Sequence, residues 1–93
     1  MDDQLIFELD SKELKETYLK ALKHDVQSMY VIAMLLKEKH RPAEAVVWLK
    51  KAANEQYEVA QYELANCYYA GDGIAEDEKK AFELYEVPVY ETK

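Results

Sequence analysis

The sequence contains little cysteine, glycine or proline and no long apolar run. A single cysteine among 93 residues excludes an intramolecular disulfide and a zinc site built on cysteines. Two glycines and two prolines are too few for a β-sandwich, which needs a turn residue about every 8–12 residues. No stretch approaches the roughly 18 apolar residues of a membrane span. The length fits one domain, and 49% hydrophobic residues suffice for a folded core.

Acidic residues outnumber basic residues by 19 to 12, which gives a net charge of −7. This surplus opposes binding to a phosphate backbone, so we expect no direct nucleic-acid partner. The charge is divided along the chain, with −4 on residues 1–10, +4 on residues 11–53 and −7 on residues 54–93. Such a bipolar surface suits a charged protein partner, and it is also compatible with ordinary solvated helices. The acidic start, unlike a secretory signal, predicts a cytoplasmic protein without membrane contact.

Apolar residues recur at spacings of three and four, which predicts five helices. A capping box at Asp10–Glu13 is expected to start the first helix, and Pro42 to start the third. Gly71 is expected to end the fourth helix in a left-handed cap, with Ile74 tucked under the turn. The predicted helices cover about residues 11–23, 26–37, 42–54, 58–70 and 77–87.

The last helix is predicted to start at Glu76 or Asp77. It is predicted to end by Val87, because the residue before Pro88 is driven out of helical geometry. The residues predicted to face inward on the five helices are Leu14, Tyr18, Ala21, Leu22, Met29, Ile32, Ala33, Leu36, Ala45, Trp48, Leu49, Ala52, Ala60, Gln61, Leu64, Ala65, Tyr68, Ala81, Leu84 and Tyr85.

The chain divides into three predicted parts. Residues 1–10 are a capping arm, residues 11–87 form the helical domain and residues 88–93 are a C-terminal tail. Within the arm Leu5, Phe7 and Leu9 alternate as in a strand, but a short helix is equally compatible with the pattern.

The sequence repeats itself. Residues 45–50 return as residues 81–86, which lie 36 positions later, and residues 30–36 return as residues 62–68, which lie 32 positions later. The difference falls in the loop between paired helices, so one helix is followed by two helix pairs. Because no pair can bury its own apolar face, the pairs must stack, and the ends must be covered by the terminal segments or by another chain.

The second copy contains a spaced motif around the turn Gly71-Asp72-Gly73-Ile74. The other members of the motif are Ala60, Gln61, Tyr62, Glu63, Leu64, Ala65, Tyr68, Asp77, Lys80, Ala81 and Tyr85, and residues 48–53 look like the end of a preceding copy. This set resembles a Sel1-like repeat, which is similar to the tetratricopeptide repeat. The resemblance covers about residues 12–86. It implies an all-α superhelix, or solenoid, that serves as an adaptor or scaffold.

The chain departs from the family pattern in three places. Ala33 and Ala65 stand where the family usually has glycine. The loop before Pro42 lacks the Gly-x-Gly turn, and the last helix is interrupted at Val87-Pro88.

No pattern indicates catalysis, a metal or a cofactor. His24 and His40 lie on separate turns without the spacing of a zinc site. Cys67 falls inside a helix, where an inert buried thiol is expected. The acidic residues around Asp72 lack calcium-loop spacing. We therefore expect a protein that is not an enzyme.

Two surfaces are candidate partner sites. A concave groove is predicted from side chains that combine apolar area with polar tips. The alternative is that these side chains pack against a neighbouring helix or against the terminal arm. Its residues are Tyr30, Met34, Lys37, Val59, Tyr62, Asn66 and Tyr69. The second candidate is an acidic surface of Glu55, Glu58, Glu63, Asp72 and Glu76.

The function predicted from these features is non-catalytic binding of another protein on the concave face. The alternative is a small acidic inhibitor, or an immunity-type protein, that blocks a basic site on its partner. A homo-oligomer or a tight hetero-complex is a possible way to cover the terminal helices.

Overall fold

The computed structural model describes residues 12–91 apart from the side chains of residues 13 and 86–91. Within this range the chain forms five helices and no strand, which confirms the predicted all-α class. The helices are α1 (Lys12–Leu22), α2 (Val26–Glu38), α3 (Pro42–Asn54), α4 (Glu58–Ala70) and α5 (Glu78–Glu91). The predicted capping box and the predicted capping arm lie outside the described residues, and the division into arm, domain and tail stays a prediction.

Each helix packs against the next one along the chain. Short connections between helices of similar length produce antiparallel neighbours, and the pairs stack into a slab of 40 × 27 × 16 Å. This is the predicted solenoid arrangement, in which every element depends on its immediate neighbours.

The first three connections are built alike. Each is a three-residue turn, so α2, α3 and α4 begin 16 residues apart. The middle residues His24, His40 and Gln56 have positive φ angles of 72°, 62° and 68°. In the second turn the N–H of Arg41 donates to the carbonyl oxygen of Leu36 at 2.9 Å. This left-handed cap satisfies a carbonyl at the end of the helix and reverses the chain.

Small residues occupy fully buried positions on the packed helices. Ala33, Ala45, Ala65 and Ala81 are completely buried, as the sequence predicts, because a methyl group leaves room for a neighbouring backbone. The inward stripes of the second, third and fourth helices are confirmed, including Gln61, whose Nε2 donates to the carbonyl oxygen of Ala53 at 3.3 Å.

One predicted core residue is wrong. Leu22 is 47% exposed, whereas Tyr18 and Ala21 on the same helix are buried. The buried stripe of α1 passes through Tyr18 and Ala21, and the Tyr18 ring contacts Trp48 of α3 with ring centroids 6.1 Å apart. Leu22 lies at the edge of the apolar face, outside this stripe.

The longer loop between α4 and α5 depends on both glycines. Gly71 has a φ of 71° and caps α4 in the left-handed region, as predicted. Gly73 has a φ of 78°, and a Cβ atom there would lie 2.4 Å from the carbonyl oxygen of Pro42. The loop therefore lies directly against the start of α3. Ile74 packs against the core as predicted.

Helix α5 starts as predicted but ends later than predicted. Oδ1 of Asp77 accepts a hydrogen bond from the N–H of Lys80 at 3.0 Å, which is an N-terminal cap. The predicted end at Val87 is wrong, because the helix continues through Pro88 to Glu91. Proline has a φ angle that is compatible with a helix, and it removes one backbone donor. Its steric effect on the preceding residue is a preference, and a helix can continue through it.

Replacing Gly73 with alanine should destabilise the fold more than the same change at Gly71. Both changes place a Cβ on left-handed backbone, at about 1–2 kcal/mol each. Only Gly73→Ala also collides with the backbone of Pro42, so we expect a total loss of about 3 kcal/mol or more. Chemical denaturation monitored by circular dichroism measures both, and equal losses would show that the loop can move away from α3.

Candidate functional site

Four aromatic rings lie together across α4 and α5. The ring centroids of Tyr62 and Tyr85 are 5.5 Å apart, those of Tyr69 and Phe82 are 6.2 Å apart, and those of Phe82 and Tyr85 are 6.3 Å apart. All three pairs are tilted, an arrangement that favours aromatic contact. We call these four side chains the terminal aromatic face. About half of the area of Tyr62, Tyr69 and Phe82 is exposed, so the rings present a wide apolar surface.

A hydrogen bond ties the two helices together beneath these rings. The Tyr85 hydroxyl donates to Oδ1 of Asn66. Burial, followed by the effects of Tyr62, Tyr69 and Glu63, raises the pKa of the Tyr85 hydroxyl. The neutral phenol is therefore the form that the folded protein favours.

The predicted groove residues on α2 are less exposed than the predicted groove tyrosines on α4. Tyr30 contacts Tyr57, at the start of α4, with ring centroids 5.7 Å apart. Both rings are partly buried, and Met34 is packed against the core. Burial, followed by Glu63 and Tyr57, raises the pKa of the Tyr30 hydroxyl.

Lys37 joins the two rows. Its Nζ atom lies 3.8 Å from Oε1 of Glu63 and 3.9 Å from Oδ2 of Asp72. These pairs connect α2 with α4 and with the loop that follows α4. Pairs that are this exposed contribute little stability, about 0–1 kcal/mol, but they hold a cation between the two predicted rows.

The charge of Lys37 offsets part of the predicted acidic surface. Glu63 and Asp72 are paired with Lys37. Glu55, Glu58 and Glu76 are exposed to solvent. The part of this surface whose charge is not offset by Lys37 is therefore smaller than the sequence predicts.

The predicted groove residues do not all lie in one cluster. Tyr62, Asn66 and Tyr69 contact α5, whereas Tyr30 and Met34 contact α4 and the core. Val59 is exposed on the first turn of α4. That these side chains form one partner-binding groove stays a prediction.

Sequence reasoning missed three aromatic members of this region. The sequence pattern predicts no role for Phe82 or Tyr57. It predicts that Tyr85 faces inward, and Tyr85 does pack against the core, but its contacts with Tyr62 and Phe82 are not predicted. The repeat offset of 36 residues contains the signal, because it aligns Phe82 with Val46 and Tyr85 with Leu49. The aligned residues of the earlier pair have a following helix beside them, and Phe82 and Tyr85 follow the same stripe on the last described helix.

A separate cavity of about 420 Å³ lies between α3, α4 and α5. Its walls include Lys50, Lys80 and Glu83, and Nζ of Lys80 lies 5.8 Å from the ring centroid of Tyr68. None of the seven predicted groove residues lines it. The cavity and the predicted groove are therefore different places on the molecule.

The residues that carry reactive groups are dispersed. His24 and His40 lie on two different turns. Over the described part of the chain, no three His, Cys, Asp or Glu side chains form a group that could hold a metal ion. Cys67 is buried, and burial raises the pKa of its thiol, while the nearby Lys37 acts in the opposite direction.

Comparison with protein families identifies the repeat. The family model for the Sel1 repeat matches residues 41–57 and 58–86. Residues 41–86 of this chain belong to the Sel1-like repeat family, which confirms the resemblance seen in the sequence. Repeats of this family generally mediate protein–protein interaction. The predicted extension of the resemblance to residues 12–40 stays a prediction.

Two further comparisons bear on this chain. No curated protein and no solved structure is significantly similar to it. Among the described residues, no helix is both long enough and apolar enough to cross a membrane.

The Cys67 thiol should be unreactive in the folded protein. Its burial and raised pKa keep the thiolate, which is the nucleophile, scarce and inaccessible. Ellman's reagent at neutral pH should react with it only after denaturant unfolds the chain. A complete reaction within seconds under native conditions would contradict this assignment.

Replacing Tyr85 with phenylalanine should destabilise the protein by about 1 kcal/mol at neutral pH, because Asn66 loses its donor. The difference from wild type should shrink above pH 10. There the unfolded phenol ionises before the folded one, whose pKa is raised, and unfolding of the wild type is favoured.

Urea denaturation at several pH values measures this difference. Tyr69→Phe, which leaves the Asn66 bond in place, is the matched control and should stay close to wild type at neutral pH. A constant difference between wild type and Tyr85→Phe across the alkaline range would contradict the prediction.

Proposed function

We propose that this chain is a non-catalytic interaction module that binds a segment of another protein along the concave rows of α2 and α4. The observation that carries the proposal is the exposure of Tyr62 and Tyr69, about half of each residue, on a helix whose opposite side is buried. Exposed aromatic residues on a rigid support are typical of binding hot spots, and the Sel1-like family is generally one of protein-interaction modules.

The rigidity of the rows supports this proposal. Asn66 is held by Tyr85, Tyr30 is packed on Tyr57, and Lys37 is held between two carboxylates. Side chains that are already ordered lose less conformational entropy when a partner binds. A mixed row of tyrosine, methionine, asparagine and lysine fits a peptide with apolar anchors and polar backbone groups.

The alternative function is that of an acidic inhibitor. Exposed Glu55, Glu58 and Glu76 favour it, together with the net charge of −7. The pairing of Glu63 and Asp72 with Lys37 weakens it, because a basic partner would meet a surface that already contains a cation. We therefore place the inhibitor second.

Alanine at both Tyr62 and Tyr69 should weaken peptide binding. Peptides selected from a phage-displayed random library on the wild-type protein provide the ligands. We expect a loss of about 2 kcal/mol, or roughly 30-fold in affinity, for the double variant. Val47→Ala is the matched control, since Val47 is also exposed but lies on α3, and it should bind normally.

Salt separates the two candidate functions. Affinity of the selected peptides should change little between low and moderate ionic strength if aromatic contacts dominate. A steep loss with salt, together with normal binding by the double variant, would contradict the groove and favour the acidic inhibitor.

A further inference from the structure

The two helix pairs of this solenoid can be compared position by position. The repeat offsets align Tyr62 with Tyr30 and Phe82 with Val46. Val46 shares a stripe of α3 with Lys50 and Ala53. Both of those residues line the same cavity as Gln61 and Leu64 of α4, so this stripe lies on the side of α3 that faces α4. The environment of Val46 therefore shows how a following helix buries this stripe of residues.

The same face is covered in the first pair and open in the second. Val46 is 4% exposed, whereas the aligned Phe82 is 51% exposed. Tyr30 is partly buried under Tyr57, whereas the aligned Tyr62 is 56% exposed. Within residues 12–91, no helix follows α5. The terminal aromatic face is thus the position at which one more helix would continue the stack.

The acidic residues around the terminal aromatic face restrict the kind of helix that can dock there. Residues 58–86 contain eight acidic residues and two basic residues. Glu58 and Glu78, one turn from Tyr62 and Phe82 respectively, are both exposed. A helix that docks here needs an apolar stripe flanked by lysine or arginine, since like charges would repel it.

This chain has such a helix at its other end. Leu19 and Leu22 on α1 are 49% and 47% exposed. Lys12 and Lys15 lie seven and four residues before Leu19, which places them on the same face of the helix, and both are exposed. Lys23, in the turn after α1, is exposed as well, and Glu16 is an exposed acidic residue on this face. The face of α1 that turns away from Tyr18 and Ala21 is therefore apolar and basic.

We propose that α1 of one copy docks on the terminal aromatic face of another copy, so that the solenoid continues from chain to chain. The two surfaces differ in charge and lie at opposite ends of the slab. The contact is therefore head-to-tail. Every complex keeps one unoccupied α1 face at one end and one unoccupied terminal aromatic face at the other. Such a heterologous contact adds further copies until a ring closes or the supply is exhausted.

Sedimentation velocity of the full chain tests this proposal. At low salt the mean mass should rise with concentration, from about 10 μM to 1 mM, beyond that of a dimer. It should fall again at 0.5 M salt, which screens the lysine–glutamate attraction. A mass that stays monomeric throughout would overturn the proposal and would indicate that another protein, or a terminal segment of the same chain, covers the face.

Two charge-bearing variants establish the direction of the contact. Phe82→Glu disables the aromatic face, and Leu19→Glu disables α1. Each variant alone should be monomeric, and an equimolar mixture should form a one-to-one dimer and nothing larger, because one intact surface of each kind remains. A mixture that stays monomeric while the wild type associates would overturn the head-to-tail contact. Association of one variant by itself would overturn it too and would indicate a symmetric contact between two like surfaces.

The control variant is Val47→Glu, which places the same charge on an exposed position of α3 and should associate like wild type. Thermal unfolding by circular dichroism confirms that all three variants are folded. Leu19 lies on α1, away from the predicted groove, so a library peptide should still bind the Leu19→Glu variant. Phe82 contacts the groove residue Tyr69, so peptide binding is tested on Leu19→Glu and not on Phe82→Glu. Failure of self-association and failure of peptide binding are therefore separate results.

Discussion

Close contact between successive helices, made possible by alanine, is the interaction on which this structure depends. Ala33, Ala45, Ala65 and Ala81 are all fully buried, and each lies on a helix that packs against its neighbours in the chain. Packing at this distance gains dispersion energy and removes apolar area from water. The buried residues form one cluster along the stack, and the first and last described helices each make their main helix contact with a single neighbour. The surfaces at the ends therefore determine how the protein meets other molecules.

The loop after α4 adapts this regular stack to a second helix pair. Three identical turns space the earlier helices evenly, whereas this loop is longer and is held against the start of α3 by Gly73. The placement of α5 follows from that contact and from the bond between Tyr85 and Asn66. As a result, Phe82 and Tyr85 join the tyrosines of α4. The glycine motif that identifies the family thus also positions the aromatic rings that we propose for binding.

Periodicity was sufficient to predict most of the fold and only part of the candidate site. The stripes through Met29, Leu49 and Leu64 were predictable because each of these helices has neighbours on two sides, so a residue on the stripe is buried whatever its partner. Prediction failed at the two ends. Leu22 was assigned to the core because periodicity reports an apolar face and does not report whether a helix covers it. The end at Pro88 was wrong because a local preference was treated as decisive.

The same reasoning explains why the aromatic cluster could not be predicted as a site. Tyr62, Asn66 and Tyr69 were recognised as one row, but the row acquires Phe82 and Tyr85 only through the packing of α5 on α4. The hydrophobic effect is non-directional, so exposed aromatic rings alone would favour binding of any apolar surface. The separation of charge supplies the direction, because residues 11–53 carry a net charge of +4 and residues 54–93 a net charge of −7. A partner without basic residues can cover the aromatic rings but gains no electrostatic attraction. A second copy in the same orientation gains both the burial of apolar area and the attraction between opposite charges.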